Sequence, residues 1–225
     1  MTDRLSTAKE QSHKPSPRPS PSARGRQETR MQSERVIEIF KSAGALLEGH
    51  FILSSGLHSP AYLQCAIALQ TPAVAAEFGA AIAKQFSDAR IETVASPAIG
   101  GLVIGYEVAR QLGARFIWTE REGGQMTLRR GFSLSEGERV LVVEDVITTG
   151  GSTRETIDVL CAHGAAVVAA ASIIDRSGGK ADVGVPRVSL ATLDVPAVVP
   201  VDCEACQRGE PARKPGSRRA EGTKQ

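Results

Sequence analysis

Hydrophobic positions along this chain recur with two periods, and their order predicts the architecture. Residues 1–32 hold hardly an apolar side chain and are rich in Ser, Pro, Arg, Gln and Lys. Such a segment buries too little surface to offset its ordering entropy, so a disordered tail is expected there. The string Ser16–Pro17–Arg18–Pro19–Ser20–Pro21 reads as extended, and Met31, just before the first periodic segment, is a candidate natural start. Ser33 is the expected N-cap of a helix with Val36, Ile37, Phe40 and Ala43 on its apolar face, ending near Gly44. Short apolar runs between Phe51 and Ala66, broken at Ser54–Ser55–Gly56 and Ser59–Pro60, have hairpin character. Thr71–Pro72 starts a second helix by cap and first-turn proline, with Val74, Phe78, Ile82 and Phe86 as its stripe.

From Ile91 the two periods alternate. A strand at Ile91–Ala95, a turn at Ser96–Gly101 and a helix at Leu102–Leu112 closed by Gly113 are followed by a strand at Arg115–Thr119. After a polar loop come a strand at Val140–Val143, a helix from Gly151 to His163 closed by Gly164, and strands at Val167–Ile174 and Val188–Leu193. This alternation predicts an α/β fold, a doubly wound and mostly parallel sheet with helices on both faces. Ligands of such sheets sit at the carboxyl ends of the strands, where the loops 96–101, 120–131 and 144–153 fall. The expected organisation is one domain over residues 33–217, with a small N-terminal unit at about 33–70 and a loose tail at 218–225.

Composition narrows the setting. A chain of 225 residues that is 41% hydrophobic can bury one core of ordinary size, and a formal net charge of +2 gives nucleic acid no general attraction. No apolar run approaches the ~18–20 residues of a membrane span, and no signal-like segment opens the chain. Cys65, Cys161, Cys203 and Cys206 are few for this length, which points to a reduced, cytoplasmic protein. A structural zinc site wants four ligands, and the C-x-x-C at Cys203 and Cys206 has no second pair, with His163 far away in sequence; free thiols are expected. His50, His58 and His163 share no spacing; one of them could serve as a general base, but ordinary surface or core roles are expected.

The densest chemistry lies between Arg139 and Thr153. The apolar run Val140–Val143 leads into Glu144–Asp145–Val146–Ile147, and then Thr148, Thr149, Gly150, Gly151, Ser152 and Thr153 open a helix. Backbone N–H groups and the helix dipole at such a start favour an anion. Gly150 and Gly151 let the backbone approach a phosphate, and the hydroxyls add donors. Carboxylates beside a phosphate site repel the ligand unless they face hydroxyls or a metal ion, and a sugar phosphate satisfies both demands. The plainer alternative is a strand–turn–helix whose acids merely cap the helix. No G-x-x-x-x-G-K-[ST] sequence occurs. Ser96–Gly101 offers N–H groups for a second anion, and the loop with Arg121, Arg129 and Arg130 suits either a lid over an anionic substrate or a solvated hairpin. Arg176, at the end of an apolar strand, can bind a planar carboxylate or pair with Asp175 or Asp182.

The 139–153 run resembles the phosphoribosyl-pyrophosphate (PRPP) signature of the type I phosphoribosyltransferases. The stretches Gly49–Ser59, Met126–Phe132, Ile174–Asp175–Arg176 and Lys214–Pro215–Gly216–Ser217 narrow the resemblance to the orotate phosphoribosyltransferases in their longer bacterial form, over about Ser33 to Ser217. The resemblance implies the type I fold with a small N-terminal hood over the base. It implies transfer of the phosphoribosyl group of PRPP to orotate, giving orotidine 5′-monophosphate and pyrophosphate in pyrimidine biosynthesis. It implies Mg2+ held mainly by substrate, and a homodimer whose mobile loop reaches the neighbouring site. Carried onto this chain, PRPP meets Glu144, Asp145, Val146, Ile147, Thr148, Thr149, Gly150, Gly151, Ser152 and Arg121; Arg121, Asp145 and Glu144 are the catalytic candidates. Orotate meets Thr148, Arg176 and Tyr62, with Ser54 and Ser55 close to orotate or PRPP. Several relatives carry Lys where this chain has Ser54 and Gly100, and many have Lys or His in the mobile loop where this one has Gln125. The cationic grip on pyrophosphate therefore falls to Arg121, Arg129 or Arg130. A transferase for another base would not need Arg176. A non-catalytic PRPP-binding regulator usually carries a DNA-binding module, which residues 1–32 are too polar to form.

Overall fold

Continuous apolar runs became the buried strands and amphipathic stripes became the helices that cover them. The computed structural model describes residues 23–53 and 56–215. In chain order the elements are α1 (Ala23–Ser42), β1 (Leu46–Ile52), β2 (His58–Leu63), α2 (Cys65–Leu69), α3 (Pro72–Lys84), β3 (Thr93–Pro97) and α4 (Leu102–Leu112). Then follow β4 (Arg115–Glu122), β5 (Gln125–Leu128), β6 (Arg139–Ile147), α5 (Gly151–Ala162), β7 (Ala166–Asp175), β8 (Arg187–Thr192), a 3-10 turn at Pro200–Asp202 and α6 (Glu204–Gln207).

The large sheet has the order β5-β4-β3-β6-β7-β8, parallel throughout except for β5, which runs antiparallel to β4. Side chains alternate across a strand, so β6 feeds two cores at once. Leu141 and Val143 pack with Phe40, Phe78, Ile82 and Ile104 on one face, while Val140 and Val142 pack with Ile117, Ile157 and Leu160 on the other. Connections leave β3 toward β4 and β6 toward β7, in opposite directions. The boundary between β3 and β6 is thus the topological switch point, where open α/β sheets form their ligand crevice.

A separate two-stranded sheet, β1 with β2, forms the hood. Segments far along the chain cover both of its edges. On β1, the Ile52 N–H donates to the Arg213 carbonyl and the Arg213 N–H to the His50 carbonyl, both at 2.8 Å. On β2, the His58 N–H donates to the Val198 carbonyl at 2.8 Å and the Val198 N–H returns the bond at 2.9 Å.

Some boundaries differ from the sequence reading. Helix α1 begins at Ala23 rather than at a Ser33 cap, so the tail expected to be disordered through residue 32 is helical from 23 onward. Its Ala, Arg, Gln and Glu residues are strong helix formers, and they extend the helix N-terminally from the apolar stripe. The buried face of α3 is Ala75, Phe78, Gly79, Ile82 and Ala83, one position round from the stripe expected through Val74. The polar loop at 120–131 is largely a hairpin, with β4 and β5 joined through Gly123 (φ 59°) and Gly124 (φ 88°). Paired positive φ values favour a two-residue turn whose twist matches the strands. The tail through residue 22, Ser54, Ser55 and the tail at 218–225 lie outside the described residues.

Candidate active site

Between the hood and the carboxyl edge of the large sheet lies a cavity of about 560 Å³, with Tyr62, Cys65, Asp145, Thr148, Thr149 and Arg176 in its wall. Hood and sheet therefore share one site. Strand β6 runs further than the sequence suggested, so Glu144 and Asp145 sit in its last turns of pleat, with Glu144 opposite Ser172 of β7.

The two acids are not equivalent. Asp145 reaches the cavity, whereas Glu144 is buried behind it. Burial, followed by the charge of Asp145 and a hydrogen bond to it, pushes the Glu144 carboxyl well above the usual carboxylate range. The Asp145 N–H donates to Glu144 Oε1 at 3.2 Å, and the Val146 N–H donates to Asp145 Oδ1 at 2.8 Å. Val146 also lines the cavity, but Ile147 is buried in the core and can offer a ligand only its backbone.

The turn after β3 rests directly on these acids. A Cβ built on Gly100 would stand 2.9 and 3.0 Å from the Asp145 carboxylate oxygens, and one on Gly101 would stand 2.9 Å from the Val143 carbonyl. Glycine here permits contact between the two loops of the switch point, and a lysine at position 100 would press on Asp145. The Ala98–Ile99 peptide within this turn is cis.

Helix α5 starts from Gly150 in the left-handed region (φ 82°), with no side-chain cap and no acid in its first turn. Its leading N–H groups are thus poorly served by the protein, as an anion site requires. The Gly151 N–H makes only a long 3.4 Å contact to Thr149 Oγ1. Thr148, Thr149, Gly151 and Ser152 are exposed, whereas Thr153, read as a further hydroxyl donor, is buried against the sheet.

The two acids expected as alternative partners of Arg176 are engaged elsewhere. Asp175 is engaged by Arg187 at 2.7 Å, by the Ser177 N–H and hydroxyl at 2.7 and 2.6 Å, and by the Gly179 N–H at 3.0 Å. Asp182 pairs with Arg154 at 3.3 Å. Among the described residues, Arg176 Nε is buried without a hydrogen-bond partner. Burial pulls the Arg176 pKa down, with Tyr62 and Cys65 acting against that shift, and the guanidinium remains charged. Tyr62 donates to Gln64 Oε1 at 3.2 Å from the same wall.

The hairpin arginines lie outside this cavity. Arg121 pairs with Glu155 of α5 at 2.6 Å and donates to the Gly124 carbonyl at 2.8 Å. Arg129 pairs with Glu122 at 3.2 Å, and Arg130 pairs with Glu120 at 3.0 Å. Arg121 is therefore not brought to the acids in this conformation. Cys65 was missed by the sequence reading. It sits in the cavity wall, where burial and then the charges of Asp145 and Glu144 push its thiol well up, so it contributes a neutral surface.

A family model described as a phosphoribosyl transferase domain matches residues 67–204. An orotate phosphoribosyltransferase of Caldicellulosiruptor bescii is 52% identical over 189 residues, covering 84% of this chain and 100% of that one. Another, of Thermotoga maritima, is 54% identical over 183 residues, covering 81% of this chain and 98% of that one. The chain belongs to the orotate phosphoribosyltransferase family. A crystal structure of orotate phosphoribosyltransferase from Aeropyrum pernix superposes with a TM-score of 0.60 at 31% identity, over 70% of this chain and 93% of that one. The doubly wound sheet with its hood is thus the type I phosphoribosyltransferase fold. In this orotate phosphoribosyltransferase family member, no helix among the described residues is long and apolar enough to cross a membrane.

Proposed function

We propose that the chain transfers the phosphoribosyl group of PRPP to orotate, releasing pyrophosphate and orotidine 5′-monophosphate in de novo pyrimidine biosynthesis. The observation that carries this reading is Arg176, half-buried in the wall of the cavity that the phosphate loop also borders, its buried Nε without a partner among the described residues. A base bearing a carboxylate satisfies it; a neutral base leaves it orphaned.

Thr148, Thr149, Gly150, Gly151 and Ser152 take the 5′-phosphate at the start of α5, with Val146 and Ile147 bringing the strand to it. Asp145 accepts from the ribose hydroxyls, with Glu144 behind it. Arg176, Tyr62 and Thr148 hold orotate. The bond from the anomeric carbon to pyrophosphate breaks and a bond to a ring nitrogen of orotate forms, while that nitrogen's proton passes to pyrophosphate or water. Sugar charge builds up as in glycoside cleavage, so orientation and exclusion of water matter more than a strong base. Arg121 turns from Glu155 to the leaving pyrophosphate; giving up so exposed an ion pair costs about 0–1 kcal/mol. The hard carboxylate oxygens of Asp145 in the cavity wall fit Mg2+; the ion, held mainly by substrate, would supply neutralisation of the leaving-group charge.

The unit that acts is taken as residues 33–217, hood included, and as a cytoplasmic homodimer. Ile99, Val103 and Tyr106 are exposed at 83%, 47% and 58%, an apolar row running from the switch-point turn onto α4 that suits a second copy.

The test is loss of orotate absorbance with PRPP and Mg2+, in the native chain and in Arg176→Met. Truncating one partner of a desolvated charge pair costs about 2–5 kcal/mol, so KM for orotate should rise about 30-fold or more while calorimetric PRPP affinity holds. Turnover of adenine or uracil but not orotate, or an unchanged KM in the variant, would overturn the reading.

A further inference from the structure

His50 and His58 lie on the two strands of the hood, and Cys203 and Cys206 flank the start of α6. The sequence separates these pairs by some 150 positions; the two cysteines are free thiols, as expected, and the fold brings them to the two histidines. One ligand atom from each of the four falls within 4.8 Å of all the others. Cys203 Sγ stands 3.4 Å and Cys206 Sγ 3.6 Å from His50 Nε2, Cys206 Sγ stands 3.2 Å from His58 Nδ1, and the two imidazole nitrogens are 2.7 Å apart. We propose that His50, His58, Cys203 and Cys206 form a closed structural zinc site that clasps the C-terminal segment onto the hood.

Zn–S bonds of about 2.3 Å and Zn–N bonds of about 2.0–2.1 Å at tetrahedral angles set neighbouring S and N atoms about 3.6 Å apart and two N atoms about 3.3 Å apart. The sulfur–nitrogen spacings already approach that figure. The imidazole pair is closer, and an entering ion would part the two rings. Thiolate and imidazole together select zinc over magnesium or calcium, and four protein ligands with no open position mark a structural site rather than a catalytic one.

The orientation of His50 is decided outside the cluster. Its Nδ1 lies 2.9 Å from the Glu210 carbonyl, which can only accept, so Nδ1 carries the proton and Nε2 presents its lone pair to the centre. Such an outer hydrogen bond is the usual companion of a metal-bound histidine. His50, His58 and Cys203 are buried and Cys206 is half-buried, and the first three line a surface cleft, which gives an ion a way in. The backbone bonds of Val198 and Arg213 to the hood bracket the site on either side, so an ion there locks a contact the backbone has already made.

The full-length, untagged chain, produced in zinc-replete medium and purified under reducing conditions without chelator, should carry about one zinc per chain by elemental analysis. Exchange into Co2+ should give the intense visible bands of a tetrahedral ion together with thiolate-to-cobalt charge transfer. Cys203→Ser/Cys206→Ser should lose both signals. Less than about a tenth of a metal per chain with only a pale, octahedral cobalt spectrum would overturn the site. So would a Cys203–Cys206 disulfide in the native chain, or metal retained by the double variant. The two wild-type measurements need no variant to fold, and orotate turnover on the same sample separates failure here from failure of the proposed reaction.

Discussion

Arg187→Met removes the cation that holds Asp175, and the structure sets the size of the consequence. Asp175 is 1% exposed, its partner's side chain is 14% exposed, and they meet at 2.7 Å. Breaking a buried pair from one side costs about 3–5 kcal/mol, because the remaining charge is stranded. Asp175 keeps its bonds from Ser177 and Gly179, so the lower end, about 3 kcal/mol, is expected. For a chain of this length that is a fall in Tm of about 6–12 °C. Burial alone would raise the Asp175 carboxyl, but hydrogen bonds from Ser177 and Arg187 outweigh it and hold it below the usual range. A depressed folded value stabilises the protein above the unfolded value of about 3.9 and ceases to do so as pH falls through the folded value. The deficit of Arg187→Met should therefore be full at pH 7 and shrink below about pH 4, and Asp175→Asn/Arg187→Met should recover much of it. Urea unfolding followed through the fluorescence of Trp118, the sole tryptophan, measures each arm. A deficit under about 1 kcal/mol at pH 7, one independent of pH, or a double variant no more stable than the single would refute the argument.

Two other substitutions test the site's construction. Since burial and Asp145 raise the Glu144 carboxyl, ionising it costs the folded state increasingly as pH climbs above the unfolded value of about 4.3. Glu144→Gln should thus melt at or above the native protein at pH 8, lose that advantage near pH 4, and bind PRPP more weakly; equal destabilisation at both pH values would contradict this. Gly150→Ala combines a left-handed residue, about 1–2 kcal/mol, with a Cβ 2.8 Å from Val183 Cγ1, about 1–3 kcal/mol more. Gly113→Ala, at φ 66° with open space around it, should lose only the first part, and comparable melting shifts in the two would show that packing around Gly150 is looser than described.

Legibility followed how local each signal was. Val140–Val143 announced its strand because a strand buried on both faces has no polar positions to interrupt it. Helix α4 was read to the residue, since Gly113 in the left-handed region ends it chemically. The hairpin of β4 and β5 was only one of two readings of its loop, because its charged residues carry no apolar alternation; its sign was the Gly123–Gly124 pair. Arg176 could be placed at the active edge but not declared free, because that depended on Arg187 and Arg154 taking Asp175 and Asp182. The histidines and cysteines were least legible. A hairpin turn brings His50 to His58, and only the return of the chain along both hood edges brings the C-x-x-C to meet them.

That return has a consequence for synthesis. The ring of His50 is met by the carbonyl of Glu210, 160 residues later. On a ribosome the large sheet and the phosphate loop can be finished while the hairpin of β1 and β2 still waits with both strand edges bare. Bare edges are what neighbouring nascent chains pair with, and contacts so distant in sequence form slowly. A message truncated just before Val198 would thus yield a product with the large sheet complete and an adhesive cap, more hazardous to its neighbours than a chain broken earlier. The segment from Val198 to Arg213, made after the large sheet, is the one that renders the early hairpin inert.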